Sequence, residues 1–281
     1  MTRFKNFIEH LRIADARNEA EAARNGSAVH GITKFADLSQ SEFAAHYLTS
    51  NKKYDSNTAE KVQLAASASS TTAVNWAGVY TTPVKDQGYC GSCWAFSATE
   101  QIESDGMRTL GTSYILGPQQ IVSCDKTSAG CNGGWTSSAY EYVKRAGGLE
   151  SEEAYPYVSS QGITHTCTEE SSSEVLTVKS FTKITNGEAA MASYVLSTGP
   201  LSVCLDASSW NSYTGGIMTV CGNTVDHCVQ AVGVNTGSDG YWIVRNSWGT
   251  SWGESGYIQL SYGSNTCNID SDPTWTVVSK V

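Results

Sequence analysis

Cys93 stands where a thiol can become a nucleophile. It lies in the run Gln87-Gly-Tyr-Cys90-Gly-Ser-Cys93-Trp-Ala-Phe96. There Gly88 and Gly91 permit sharp turns, Ser92 reads as an N-terminal cap, and Trp94 to Leu110 continues as a largely apolar helix that Gly111 stops. A cysteine at a helix N-terminus meets unpaired backbone N–H groups and the positive end of the helix dipole, and both favour the thiolate. A base to receive its proton is at hand in His227, which sits in the strand-like run Asp226 to Val234, and Asn246-Ser-Trp248-Gly follows just beyond.

Other chemistries fit parts of this pattern. Cys90-Gly-Ser-Cys93 has the spacing of a redox dithiol, but that reading predicts a thioredoxin-like βαβ unit in a short protein of a reducing compartment, whereas this chain has 281 residues and nine cysteines. A zinc site would need a second CxxC or a Cys/His pair at matching spacing, and the sequence has none.

The cysteine signature followed by His227 and Asn246 roughly 130 to 150 residues on resembles the papain family of cysteine proteases, in its cathepsin L-like branch. The resemblance implies a two-lobed α+β fold: a helical lobe (about 84–180) whose central helix carries the nucleophile, and a β-barrel-like lobe (about 181–270) that brings His227 across a cleft. It also implies the roles. His227 accepts the proton of Cys93, Asn246 orients the imidazole, and Trp248 shields their hydrogen bond from water. Gln87, with the backbone N–H of Cys93, donates to the oxyanion of the tetrahedral intermediate, and losing one such donor typically costs about 10²- to 10³-fold in rate. Gly133, Gly134 and Trp135 form the wall against which an extended peptide pairs. No cofactor and no metal are implied. A peptide-binding relative without activity would be marked by loss of Cys93, His227, Asn246 or Gln87, and all four are present.

Setting Cys93 aside leaves eight cysteines. The resemblance pairs Cys90 with Cys131, Cys124 with Cys167, and Cys221 with Cys267. The two left over, Cys204 and Cys228, match positions on neighbouring strands beside the S2 specificity pocket, where they either form a fourth bridge or remain two buried thiols. Asp272 falls at the family position on the floor of S2. A carboxylate there can pair with a P2 Arg or Lys, against the alternative of a surface aspartate turned to solvent.

Upstream of these residues the character of the chain changes. Phe4, Phe7, Ile8, Leu11 and Ala14 recur at helical spacing, and Arg3, Phe7 and Asn18, with Gly31-Ile-Thr-Lys-Phe35-Ala-Asp37, resemble the two motifs of cathepsin L-like propeptides. His10, Ala14 and Thr33 replace usual motif residues. Residues 1–72 are therefore expected to be an inhibitory helical propeptide and linker, with 73–281 the peptidase domain and activation cleavage between about Ala65 and Ala73. Acid is expected to loosen the propeptide by neutralising Asp37 and its other carboxylates. The remaining histidines, His10, His30, His46 and His165, read as solvated or structural.

Composition sets the outer bounds. A formal net charge of −9 argues against nucleic acid as a partner, and no apolar run approaches the roughly 18 residues of a membrane span. The cysteine content points to the secretory route, to a lysosome-like acidic compartment or the extracellular space, and the polar N-terminus suggests a chain that starts after a removed signal. Protein or peptide substrates, the chain's own propeptide in the cleft and cystatin-like inhibitors are the partners implied for a monomer. The absence of a histidine-bearing insertion favours endopeptidase action, and Asn25-Gly-Ser27 is a glycosylation sequon.

Overall fold

The fold is built around one buried helix. A computed structural model describes residues 2–49, 59–65 and 71–281. Its helices are α1 (Thr2–Ala23), α2 (Gln40–Tyr47), α3 (Cys93–Leu110), α4 (Pro118–Cys124), α5 (Thr136–Ala146) and α6 (Glu188–Ser197). Residues Cys93 to Gly106 of α3 are buried without a break, so this helix is surrounded on all sides and ends, as its sequence predicts, where Gly111 adopts the left-handed conformation at φ 63°. Ser92 departs from expectation. Its side chain makes no capping bond; the hydroxyl meets the Tyr157 hydroxyl at 2.9 Å, and its carbonyl receives the first-turn N–H groups of Ala95 and Phe96 instead.

The strands are β1 (Val29–His30), β2 (Glu60–Val62), β3 (Ala73–Asn75), β4 (Leu149–Glu150), β5 (Glu174–Ile184), β6 (Leu201–Leu205), β7 (Tyr213–Gly215), β8 (Ile217–Met218), β9 (His227–Asn235), β10 (Tyr241–Arg245), β11 (Tyr257–Ser261) and β12 (Thr274–Lys280). Ten of them form one sheet, along the path β2-β5-β12-β6-β9-β10-β11-β8 with β3 on β9 and β4 on β5. The strand-like run read from Asp226 to Val234 forms β9, which has every residue but the last buried. The division between lobes expected near residue 180 falls inside β5. Leu176, Val178 and Phe181 of β5, with Val278 of β12, pack into the helical core beside Trp94, Ile102, Tyr140 and Val143, so the sheet spans both lobes.

The N-terminal segment lies on the β lobe. α1 buries only part of the apolar stripe that its spacing predicts: Ala14 is buried and Phe7 and Leu11 are half-buried, but Phe4 and Ile8 are exposed, and the other buried residues of the helix are His10 and Glu21. Docking is polar at this helix, which explains the departure. Ser39 and Glu42 cap α2 reciprocally, as their spacing predicts. Phe35 and Phe43 join the β-lobe core, and β1 adds to β7 as a two-stranded sheet. The expected cleavage region from Ala65 to Ala73 lies largely outside the described residues, at 66–70. No helix among the described residues is long and apolar enough to cross a membrane.

Candidate active site

α3 packs against β9, and this contact brings the first residue of the helix to the first residues of the strand. The Cys93 thiol is fully buried, and the backbone N–H of Cys228, next to His227, is among the donors that favour its thiolate. His227 and Asn246 are buried as well. Asn246 Oδ1 accepts the backbone N–H of Ser247 and lies 2.8 Å from His227 Nε2, each at hydrogen-bond distance. An oxygen already accepting one N–H fixes the amide orientation, so the imidazole must carry its proton on Nε2. Nδ1 is then the basic nitrogen, buried with no hydrogen-bond partner among the described residues. Trp248 covers the pair, its ring centroid 4.7 Å from that of His227, with no solvent exposure.

Burial decides the protonation of this pair. It pushes the Cys93 thiol up to about 12 against the lowering effect of the Cys228, Trp94 and Cys93 N–H groups, and pushes His227 down to about 4 despite Asn246. The helix N-terminus led to the opposite expectation for Cys93. Loss of water outweighs it here, and both side chains are neutral.

The chain's own N-terminal segment lies across this site. Thr49 donates its backbone N–H to the carbonyl of Asp226 on the β side, at 2.7 Å, while its hydroxyl receives the N–H of Gly134 and donates to the Gly134 carbonyl on the helical side, at 3.2 and 3.3 Å. One residue thus bridges both walls. The hydroxyl takes the place that the sequence reading assigned to a main-chain pairing. Gly134 must be glycine, since a Cβ would stand 2.5 Å from the Trp94 ring. Gln87 Nε2 donates to the carbonyl of Tyr47 at 3.1 Å and to that of Cys90 at 2.8 Å, and Ser247 holds its Oε1 at 2.7 Å. A carbonyl of the N-terminal segment therefore already sits on the amide read as an oxyanion donor. Phe35, Phe43 and Tyr47 pack on Trp248 with centroids 5.2, 5.3 and 6.3 Å away.

Further from the cleft the contacts carry charge. Arg17 Nη1 donates to Asn211 Oδ1 and Ser212 Oγ at 2.7 and 2.6 Å, and the Glu21 carboxylate accepts from the Thr219 and Val220 N–H groups and the Thr219 hydroxyl at 2.6 to 3.0 Å. His30 Nδ1 meets Ser212 Oγ at 2.9 Å, and burial beside Arg17 and His10 lowers it to about 4. Sequence reading missed Arg17 and Glu21. Their one-turn spacing on a helix was the available signal. Asp37 does not dock the two parts; its side chain pairs at 3.9 Å with Arg3 of the same segment, both more than half exposed.

The structure forms Cys90–Cys131, Cys124–Cys167, Cys221–Cys267 and Cys204–Cys228 and leaves Cys93 as the free thiol. Cys204 and Cys228 stand opposite each other on β6 and β9. Asp272 is buried rather than turned to solvent, and Lys183 of β5 pairs with it at 3.0 Å. Trp135 is half-buried at the start of α5 and packs on the helical core.

Comparison with known proteins settles the family. Residues 70–277 match the papain family cysteine protease model, and residues 1–43 match the cathepsin propeptide inhibitor domain. The chain belongs to the papain family of cysteine proteases. A cysteine proteinase 1 of Dictyostelium discoideum is 34% identical over 99% of the chain and 87% of its own length, and cysteine proteinase 2 of Leishmania pifanoi is 39% identical over 96% of the chain. The chain spans about 63% of the length of the Leishmania relative. Among solved structures, the digestive procathepsin L2 proteinase of Tenebrio molitor larval midgut superposes with a TM-score of 0.88 at 29% identity, covering 98% of this chain and 92% of that one. The recombinant stem bromelain precursor gives 0.83 at 29% identity, covering 99% and 91%.

Proposed function

We propose that this papain-family chain is the latent form of a cysteine endopeptidase, with residues 1–72 as inhibitory prodomain and linker and 73–281 as peptidase. The observation that carries the reading is the imidazole whose Nε2–H is fixed on Asn246 Oδ1, leaving the buried Nδ1 as the basic nitrogen one residue from the Cys228 N–H that favours the Cys93 thiolate, under a segment that bridges both cleft walls at Thr49. Removing that segment readmits water. The penalty that keeps Cys93 and His227 neutral then falls, and proton transfer from thiol to Nδ1 gives the thiolate–imidazolium pair. The thiolate attacks a peptide carbonyl, and the tetrahedral oxyanion takes the Gln87 Nε2–H that the Tyr47 carbonyl now occupies, together with the Cys93 N–H. His227 returns the proton to the leaving amine. Water then cleaves the thioester, releasing the acid and the thiol.

Gly133, Gly134 and Trp135 line the substrate's path on the helical side, and the Cys204–Cys228 bridge and Asp272 lie toward S2. Because Lys183 already neutralises Asp272, an apolar P2 residue is favoured and a basic one must displace the lysine. The four disulfides support folding in an oxidising compartment, on the route to a lysosome-like or extracellular site, and cystatin-like inhibitors fit the same cleft of a monomer. The test is hydrolysis of fluorogenic substrates with P2 Leu and P2 Arg after acid incubation with a mild reductant, beside Cys93→Ala. Cleavage of P2 Leu that vanishes in Cys93→Ala is expected. Absence of cleavage after verified prodomain removal would refute the assignment.

A further inference from the structure

We propose that Glu100, Gln230 and Arg245 form a positioning device for the catalytic residues, one buried network that ties together the three segments carrying Cys93, His227 and Asn246; this rests on the catalytic reading above. Glu100 follows Cys93 by two turns of α3, Gln230 follows His227 by three residues in β9, and Arg245 ends β10 immediately before Asn246. All three are buried, Arg245 and Gln230 completely. Arg245 Nη2 donates to Gln230 Oε1 at 2.8 Å, Nη1 donates to the Thr82 carbonyl at 2.7 Å, and Nε lies 3.5 Å from the Glu100 carboxylate. Gln230 Nε2 in turn donates to the Glu100 carbonyl, Gln101 Oε1 and Ser104 Oγ of α3 at 3.2, 3.1 and 2.9 Å.

A guanidinium and a primary amide are costly to bury, and Gln230 interrupts the apolar stretch from Cys228 to Val234. Their placement explains them. The β9–β10 ladder shifts register between Ile243 and Val244, just before the strand reaches Asn246. Beyond such an irregularity backbone pairing alone holds two strands less firmly. Arg245 and Gln230 are the facing pair there, and their side chains close the ladder that the backbone has loosened. The same amide then anchors that pair to the helix of Cys93. Lysine at 245 could not do this, since only the planar fork reaches the Thr82 carbonyl and the Gln230 amide together. A displacement of about 1 Å at a reacting group can cost on the order of 10²-fold in rate.

The decisive experiment compares activated wild type, Gln230→Leu, Arg245→Lys and Glu100→Gln for kcat, KM, melting temperature and the pH dependence of Cys93 alkylation. A positioning role lowers kcat of Gln230→Leu about 10- to 100-fold with KM changed less than about threefold, moves the alkylation profile, and leaves Arg245→Lys between it and wild type. A folded Gln230→Leu enzyme with kcat within about twofold of wild type and an unmoved profile, losing only thermal stability, overturns the proposal. If Gln230→Leu does not fold, the near-isosteric Glu100→Gln decides by the same readings. If wild type cuts nothing, the protease assignment fails separately, and the alkylation profile still decides the network's role.

Discussion

The prodomain is held at two places by different physics. Over Trp248 it is held by aromatic rings, Phe35, Phe43 and Tyr47, with Phe35 and Phe43 fully buried. Along α1 and β1 it is held by charged and polar side chains, Arg17 and Glu21 of the helix and His30 of the strand, on Asn211–Ser212 and Thr219–Val220. Rings carry nothing that titrates in this range, so the first contact depends on area and shape alone. The second depends on each charge state being the one its partner expects. Latency therefore has a part indifferent to pH, seated on Trp248, and a part sensitive to pH, seated along α1 and β1 on the chain around Asn211–Ser212.

Removing a ring from the first region is expected to have the largest effect. Phe43→Ala deletes a fully buried side chain that packs on Phe35, Tyr47 and Trp248, a change that typically costs about 3–5 kcal/mol. Cys93 of this variant should react with a small alkylating reagent at neutral pH far faster than wild type does. A rate equal to wild type would show that the rings do not hold the segment down.

A polar substitution in the second region comes next. Glu21→Gln keeps the shape of a side chain that accepts from Thr219 and Val220, but turns an amide N–H toward donors and removes the charge, at a cost of roughly 1.5–3 kcal/mol. Alkylation of Cys93 should quicken by less than in Phe43→Ala, with its pH dependence kept. An effect larger than that of the ring deletion would reverse the ranking of the two regions.

The two regions also differ in how far the sequence revealed them. Cys93, His227, Asn246 and Gln87 lie in short runs whose resemblance to the papain family proposes them as the reacting group, and β9 forms where the strand-like run from Asp226 to Val234 predicts it. α1 misled, because its apolar periodicity is real while the face it docks is set largely by Arg17 and Glu21, whose partners lie nearly two hundred residues away. Nothing local announces such a partner. The ionisation of Cys93 was hidden for a related reason: a helix N-terminus is visible in sequence, but the burial that raises the thiol is a tertiary fact. Lys183 beside Asp272 and Arg245 beside Gln230 are likewise products of strand register.

The pH-sensitive part of the seam is expected at His30. Docked, its imidazole is lowered to about 4 by burial, with Arg17 and His10 opposing a further positive charge; free, it returns to the ordinary value near 6.5. The docked state therefore binds fewer protons than the released one. Its stability is complete above about 6.5 and declines as pH falls toward about 4. His30→Asn, which can keep a hydrogen bond to Ser212 but cannot charge, should shift Cys93 exposure to lower pH than in wild type. If wild type and variant release Cys93 at the same pH, His30 is not the sensor.

The smallest effect tests whether any charge across the interface matters or only buried ones. Lys34 and Asp86 also join prodomain to peptidase, at 3.1 Å, but Asp86 is half-exposed and water solvates both groups well. Such pairs are worth about 0–1 kcal/mol and weaken with salt. Lys34→Ala should leave alkylation of Cys93 within a few-fold of wild type at low salt and indistinguishable from it at high salt. The Arg3–Asp37 pair, exposed and internal to the prodomain, should matter no more, so Asp37→Asn should keep the wild-type pH of release. If Asp37→Asn moved that pH while His30→Asn did not, the sensing group would be an exposed carboxylate acting through the prodomain's own stability, and the buried polar seam would serve only as an anchor.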